Sequence, residues 1–187
     1  MVRIPLALLL VALSVPPAAA ADDVLDAIDS ARKSYQSGDL ANAKQSLDLA
    51  SQLIGQKNAE AFAALLPAPL AGWKAEKAQT AAVGSVGFGA STASRSYTNA
   101  NGDNVEVQIT GDSAMVTQMA TMLANPQIAG AMGKIVRVGN QRAIQNADGD
   151  VHMVVANKYM VVVSGSADAA AKMAYAQAVD VAKLSKM

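Results

Sequence analysis

The sequence predicts an α+β fold, in which an N-terminal α-helical hairpin precedes a mainly antiparallel sheet of five to seven strands packed by helices. Apolar residues recur at helical spacing over residues 22–66. The prolines of the segment LPAP at residues 66–69 then end that pattern. Beyond it, short β-prone runs alternate with the tight-turn pairs Asn101-Gly102 and Asp148-Gly149. The chain therefore divides into the hairpin, 22–66, and an α/β sandwich body, 67–187.

Residues 1–21 have the layout of a cleavable signal peptide. Arg3 supplies a positive charge, residues 4–15 form an apolar run, and alanines 18–21 offer a cleavage site. The run is shorter than the roughly 20 residues needed to span a bilayer, although an uncleaved anchor remains the alternative. Because the chain has no cysteine, it cannot use disulfides, and a Gram-negative periplasm is the expected location. We expect no membrane contact after cleavage.

The segment 22–66 predicts two antiparallel helices with matching apolar stripes. The stripe of the first helix is Val24/Leu25, Ile28, Ala31 and Tyr35, and that of the second is Leu40, Ala43, Leu47, Ala50 and Ile54. Gly38 suits the C-cap of the first helix, and Asp39 suits the N-cap of the second. Gly55 lies inside the second run, where it either splits the helix or is tolerated within it; we expect one long helix.

A wider pattern runs through the hairpin, Tyr35-x-x-Gly38-Asp39-Leu40-x-x-Ala43-x-x-x-Leu47-x-x-Ala50-x-x-Leu53. It resembles one unit of a tetratricopeptide repeat. The pattern occurs once, whereas solenoid repeats need at least three units to bury a continuous core. The resemblance implies packing or protein contact and not catalysis. Any antiparallel helix pair with alanines at its crossing would show the same small residues, so that alternative stays open.

The body is expected to contain short strands, two helices and two loops. The strands are predicted at 73–79, 94–98, 104–110, 134–138, 141–146, 151–156 and 159–163. One helix is expected from Asp112 or Ser113 to about Asn125, and another from Ser166 or Asp168 to about Lys183. Segments 80–90 and 127–133 are predicted to be loops. This meander with an interposed and a C-terminal helix loosely resembles PsbP-type α/β sandwiches, and the whole chain resembles exported bacterial proteins of unknown function. Neither resemblance implies site residues.

The strands at 151–156 and 159–163 are apolar on both faces, so both faces should be covered. We expect the middle and C-terminal helices to cover one face and the N-terminal hairpin to cover the other. His152, the only histidine, lies in the first of these strands. Two-residue turns on either side would place it opposite Gln145 and Val163, and on the face away from Met153 and Met160.

The sequence predicts no enzyme. A serine triad would have to use His152, no serine lies in a G-x-S-x-G turn, and cysteine nucleophiles are absent. Asp148-Gly149-Asp150 indicates a turn, because it lacks the remaining ligands of a calcium loop. We therefore predict no catalytic residue, no metal site and no cofactor.

Met115, Met119 and Met122 are the candidate ligand-binding residues. Their i, i+4, i+7 spacing places them on one face of the predicted middle helix. A methionine-lined pocket suits a small apolar ligand, and thioethers are also soft ligands for Cu(I). The same spacing is typical of an ordinary core stripe, and this alternative stays open.

The charge distribution limits the partners. Fifteen basic and fifteen acidic residues give a formal net charge of zero, without a basic cluster, so nucleic acid is not expected to bind. The leading hypothesis is a non-catalytic periplasmic binding or accessory protein that acts through contact with a protein partner or with itself. The alternative is a carrier of a small apolar ligand, or less favourably of Cu(I), in the methionine-lined pocket.

Overall fold

The computed structural model describes residues 22–82, 90–111 and 113–187, and it confirms the α+β fold with an N-terminal helical hairpin. The hairpin consists of α1 (Asp23–Gln36) and α2 (Leu40–Ala63), and α2 is continuous through Gly55. The described strands are β1 (Trp73–Ala75), β2 (Gln79–Ala82), β3 (Ser91–Asn99), β4 (Asn104–Gly111), β5 (Lys134–Val138), β6 (Gln141–Gln145), β7 (Val151–Val155) and β8 (Tyr159–Ser164). Helices α3 (Ala114–Ala124) and α4 (Pro126–Met132) follow β4, and α5 (Ala169–Ala178) and α6 (Val181–Leu184) follow β8.

All eight described strands belong to one antiparallel sheet. Its order is β1-β3-β4-β8-β7-β6-β5, and β2 also pairs with β3. Strand β8 therefore lies in the middle, between β4 and β7. The apolar strands β7 and β8 lie next to each other near the centre of the sheet. Apolar side chains can be covered more fully there than at an edge.

The main core lies on one face of the sheet. Val151, Met153, Val161 and Val163 point to this face and are fully buried. Phe62 from the end of α2 and Tyr175 from α5 belong to the same buried cluster. The hairpin and the C-terminal helix therefore share one face, which corrects the expectation that they would lie on opposite faces. The hairpin and α5 both fit on this face because only the last turns of α2 contact the sheet.

The other face is covered only in part. Ile144 and Val154 are buried there, and they line a cleft with Ala120 and Leu123 of α3. On β8, Val162 of the same face is only half-buried. The two-sided apolar pattern of β7–β8 is thus matched by two-sided burial on β7 but not on β8.

The registers around His152 differ from those expected. His152 pairs with Ile144 on one side and with Val162 on the other. The β7–β8 turn contains three residues, including Ala156 (φ 51°) and Asn157 (φ 56°), where two had been assumed. Each added turn residue shifts the pairing by one position. Met160 therefore shares the face of His152, whereas Met153 lies on the opposite face as predicted.

Segment 127–133, predicted as a loop, belongs mostly to helix α4. The side chain of Asn125 accepts a hydrogen bond from the Gln127 backbone N–H, and Pro126 occupies the first turn, where its missing N–H costs nothing. Pro126 thus ends one helix and begins the next. The C-terminal helix is likewise divided, because Val179 is extended and Asp180 caps a new turn. Of the loop predicted at 80–90, residues 80–82 form the end of β2, and 83–89 lie outside the described residues, as does Asp112.

Two tyrosines fasten the proline linker to the body. Tyr97, fully buried, donates its hydroxyl hydrogen to the Pro67 carbonyl oxygen at 2.6 Å. The Tyr175 hydroxyl accepts a hydrogen bond from the Leu70 backbone N–H at 3.2 Å. The two rings lie 4.4 Å apart, and Trp73 meets Tyr175 edge-on. The end of α2 is therefore held to the sheet through the linker as well as through Phe62.

We expect Tyr97→Phe to lower the free energy of unfolding by about 1–2 kcal/mol, because the buried Pro67 carbonyl loses its short hydrogen bond. Tyr35→Phe is the control. The Tyr35 side chain is 70% exposed, so loss of its hydroxyl should leave stability unchanged.

Burial raises the pKa of Tyr97 to about 12 from 10.0, against a smaller opposing effect of the Arg95 guanidinium. The folded state thus holds this proton more tightly than the unfolded state, and stability should fall as the pH rises from 10.0 to about 12. Urea denaturation of the wild-type protein and of both variants over that pH range would measure both effects. If Tyr97→Phe and Tyr35→Phe lost the same free energy of unfolding, the role assigned to the Tyr97 hydroxyl would be contradicted.

A buried ion pair fastens α5 to the loop between β6 and β7. Lys172 Nζ donates to the Asp150 carboxylate and to the Asp148 carbonyl oxygen, both at 2.7 Å. The Lys172 side chain is 3% exposed. Burial acts to raise the pKa of Asp150, but hydrogen bonds from Lys172 and Asn146 outweigh it and leave that pKa below its usual value. The Asp148–Asp150 turn therefore contains the counter-charge of Lys172.

Candidate interaction surface

The two helices of the hairpin meet through alanines. Ala27 and Ala31 of α1 and Ala43 and Ala50 of α2 are each at most 5% exposed. Local signals define the ends: Asp22 and Asp39 cap the two helices, and Gly38 between them has φ +82°, which a side chain rarely adopts. Small side chains at the contact line let the two helix axes approach closely.

The large apolar residues of the predicted stripes do not pack between the helices. Six of them are 41–70% exposed: Leu25, Ile28, Tyr35, Leu40, Leu47 and Ile54. We call these six residues the hairpin face. Of each predicted stripe, only the alanines fit the close contact between the helices, and the large side chains stay exposed.

The hairpin face lies on one side of the hairpin. The opposite side is marked by a hydrogen bond between Ser30 and Ser46, and by a shallow cleft that includes Asp26, Leu49 and Leu53. With 100° per residue, Leu25, Ile28 and Tyr35 fall on the other side of the Ala27–Ala31 contact line. By the same count, Leu40, Leu47 and Ile54 fall on the other side of the Ala43–Ala50 line. Both helices therefore present large apolar residues on the same side of the hairpin.

Most of the hairpin face belongs to α1 and the first half of α2, whereas Ile54 lies in the second half of α2, next to Gly55. The second half of α2 packs on the body: a Cβ built on Gly55 would lie 3.2 Å from Ala82 Cβ, and one on Gly111 would lie 2.6 Å from Phe62 Cζ. Ala59 and Phe62 are each 1% exposed. Among the described elements, α1 packs chiefly on α2. The exposed residues thus lie on an arm that the rest of the described structure leaves accessible.

The charges around the hairpin face have both signs. Arg32 pairs with Asp29 at 3.1 Å, and Lys44 pairs with Asp48 at 2.7 Å; all four side chains are at least 47% exposed. Such exposed pairs add little stability. They do, however, give the rim no net charge, so the surface would not repel a partner of either sign.

A polar cleft of about 560 Å³ lies where the end of α2 meets α3 and the β7–β8 turn. Its lining includes the polar residues Asn58, Thr117, Asn157 and Lys158 and the rings of Phe62 and Tyr159. The two rings meet edge-on at 5.5 Å and are almost fully buried, so they offer little apolar surface to a ligand. The cleft is large enough for a small molecule, but its lining does not single out a ligand class.

The predicted methionine site is only partly defined. Met119 is half-buried, Met122 is 39% exposed, and the side chain of Met115 lies outside the described residues. The apolar cleft of about 210 Å³ under α3 is lined by Ala120, Leu123 and Ala124, and neither Met119 nor Met122 contributes to it. A methionine-lined pocket therefore stays a prediction.

His152 is half-buried in the sheet between aliphatic neighbours. Its positive charge, when present, would contribute to the low pKa of Asp150, after the larger effects of Lys172 and Asn146. Within residues 22–82, 90–111 and 113–187, no three histidine, cysteine, aspartate or glutamate side chains cluster as metal ligands would.

Comparison of the chain with protein-family models, with curated proteins and with solved structures finds no match. Among the described helices, none is both long enough and apolar enough to cross a membrane.

Proposed function

We propose that the protein is exported to the periplasm and acts there as a non-catalytic binding or accessory protein, through protein contacts made by the hairpin face. One observation carries the proposal: six large apolar side chains are exposed together on one side of the hairpin. Single exposed leucines are ordinary, whereas contiguous apolar patches mark interaction sites.

The size of the surface supports this role. At roughly 100 Å² of apolar surface per fully exposed large side chain, the six contribute on the order of 300 Å², which is within the range of the largest patch on a typical monomer. With its charged rim, such a surface suits the apolar centre of an interface that buries about 800 Å² per partner. The layout of residues 1–21 supports export.

Photo-crosslinking in the host cell would test the proposal. A photoreactive phenylalanine analogue replaces Leu47, 56% exposed on the hairpin face, or Leu49, 49% exposed on the other side of the same helix. We expect covalent adducts in the periplasmic fraction from position 47 only, because only that side contacts a partner. Mass spectrometry would identify what is attached. Adducts of equal yield at both positions, or none at position 47, would contradict the proposal.

A further inference from the structure

The apolar cleft of about 210 Å³ lies between α3 and the sheet. On α3 it is lined by Ala120, Leu123 and Ala124, whose i, i+3, i+4 spacing places them on one face of the helix. Ala120 and Leu123 are half-buried and Ala124 is exposed, so this face still offers apolar surface to a ligand. On the sheet the cleft is lined by Ile144 and Val154. An engineered apolar cavity of about 150 Å³ holds a benzene ring, so this cleft can take a short apolar group.

Two arginines lie directly opposite each other beside this cleft. Arg137 of β5 is the register partner of Arg142 of β6, and both residues are exposed. Arg142 lines the apolar cleft and also a second cleft, of about 440 Å³, whose lining includes Arg137 and Asn140. Arg142 and Ile144 are two residues apart on one strand, so their side chains point to the same face of the sheet. The basic groups therefore lie next to the apolar cleft.

The charges of the two arginines are not neutralised within the described part of the chain. Among the described residues, neither Arg137 nor Arg142 takes part in an ion pair or a side-chain hydrogen bond. Segment 113–147 contains Lys134 and the two arginines but no acidic residue. Like charges directly opposite each other on neighbouring strands are destabilising. An anion bound between the two guanidinium groups would remove that repulsion.

A ligand with an anionic head and a short apolar tail would use both features at once. The planar fork of N–H donors in arginine matches the oxygens of a carboxylate or a phosphate. An ion pair between exposed groups is weak by itself, so the head alone would bind poorly. Burial of a tail between α3 and β6 adds the hydrophobic contribution. Ligand sites typically combine a mostly apolar lining with a few polar groups that orient the ligand.

We infer that the cleft beneath α3 binds a small amphipathic anion, with a carboxylate or phosphate head on Arg142 and Arg137 and a short apolar tail between α3 and β6. This site is separate from the hairpin face. The hairpin packs on β2 and β3, towards one end of the sheet, whereas β5 and β6 lie at the other end. The inference therefore does not depend on the protein contacts proposed above.

Titration of the intact protein with sodium octanoate tests the site, with the backbone amide resonances of α3, β5 and β6 as the readout. We expect saturable shifts centred on these elements. Acetate, which has the head alone, and octanol, which has the tail alone, should each bind at least about tenfold more weakly. Octyl phosphate has the same tail and the other head, so the tighter of the two anions identifies the head that the site prefers. Equal affinity for octanoate and octanol, shifts centred elsewhere in the protein, or no saturable shift with either anion would overturn the inference.

Two exposed basic residues provide a matched pair of variants. Arg142→Gln should weaken octanoate binding about tenfold, because the head loses a charged hydrogen-bond donor. Lys134→Gln removes the same charge from the same pair of strands, but on the other face, and should leave octanoate binding nearly unchanged. Octanoate binding that is unaffected by Arg142→Gln, or that Lys134→Gln weakens equally, would overturn the assignment of the head.

Ala120→Leu tests the position of the tail. The larger side chain should fill part of the cleft and weaken octanoate binding by at least about tenfold, whereas the weak binding of acetate should not change. Unchanged amide resonances in the hairpin would show that the variant is folded. Octanoate binding that is as tight in Ala120→Leu as in the wild-type protein would overturn the placement of the tail beneath α3.

Discussion

Asp150→Ala is expected to destabilise the protein by about 3–5 kcal/mol, because it leaves the charge of Lys172 buried without its counter-ion. Lys172 Nζ would retain only the Asp148 carbonyl oxygen. Lys172→Met should cost clearly less, since it replaces the buried charge by hydrocarbon and leaves a partly exposed carboxylate that water can solvate. Urea denaturation of the two variants measures the difference. If Lys172→Met lost as much free energy of unfolding as Asp150→Ala, or more, the buried charge of Lys172 would not be the cause.

The same pair predicts how stability depends on pH. The pKa of Asp150 is below its usual value of 3.8 in the folded state. Its contribution to stability is therefore complete above pH 3.8 and is lost as the pH falls through the lower, folded-state pKa. Asp150→Ala should show a weaker loss of stability in acid than the wild-type protein does. Acid denaturation curves that run parallel for the two proteins would contradict this sign.

Phe62→Ala is the second change with a large expected effect. The ring is 1% exposed, meets Tyr159 edge-on and lies against Gly111, so its removal leaves a cavity between α2 and the sheet. Losses of about 3–5 kcal/mol are typical for such a truncation. The end of α2 should also detach from the sheet more often, because Phe62 is the largest buried side chain that α2 contributes to the core. Faster hydrogen exchange across the second half of α2 would report this local opening.

Leu49→Ala is the matched control for Phe62→Ala. It removes a large apolar side chain from the same helix, but one that is 49% exposed. We expect a change within about 0.5 kcal/mol. A loss below about 1 kcal/mol in Phe62→Ala would show that the linker, through Tyr97 and Tyr175, is sufficient to hold the hairpin to the body.

Local patterns predicted the elements well wherever a residue acts on its own neighbours. Asp39 caps α2, Asp168 caps α5, and Asn101-Gly102 joins β3 to β4 as expected, since caps and turns depend on a few adjacent residues. The same reasoning failed at Pro126, where the signal for a helix end is also the signal for a helix start. It also failed at the β7–β8 turn, whose third residue reversed the face of Met160.

The candidate surface shows the limit of periodicity most clearly. A stripe of apolar residues at helical spacing indicates that a face avoids water, but not which neighbour covers it. Ala43 and Leu47 belong to one predicted stripe, yet Ala43 is buried against α1 while Leu47 is exposed. Side-chain size decides between them, because only alanine lets the two helices approach.

The sequence by itself determined the division into hairpin and sheet, the antiparallel strands and most helix ends, because these follow from contacts between residues close in the chain. Only the tertiary structure decided that α2 and α5 share one face of the sheet, that Lys172 meets Asp150, and that the other described residues leave the hairpin face exposed. Each of these depends on contacts between residues far apart in the chain, and their geometry is set by how whole elements pack.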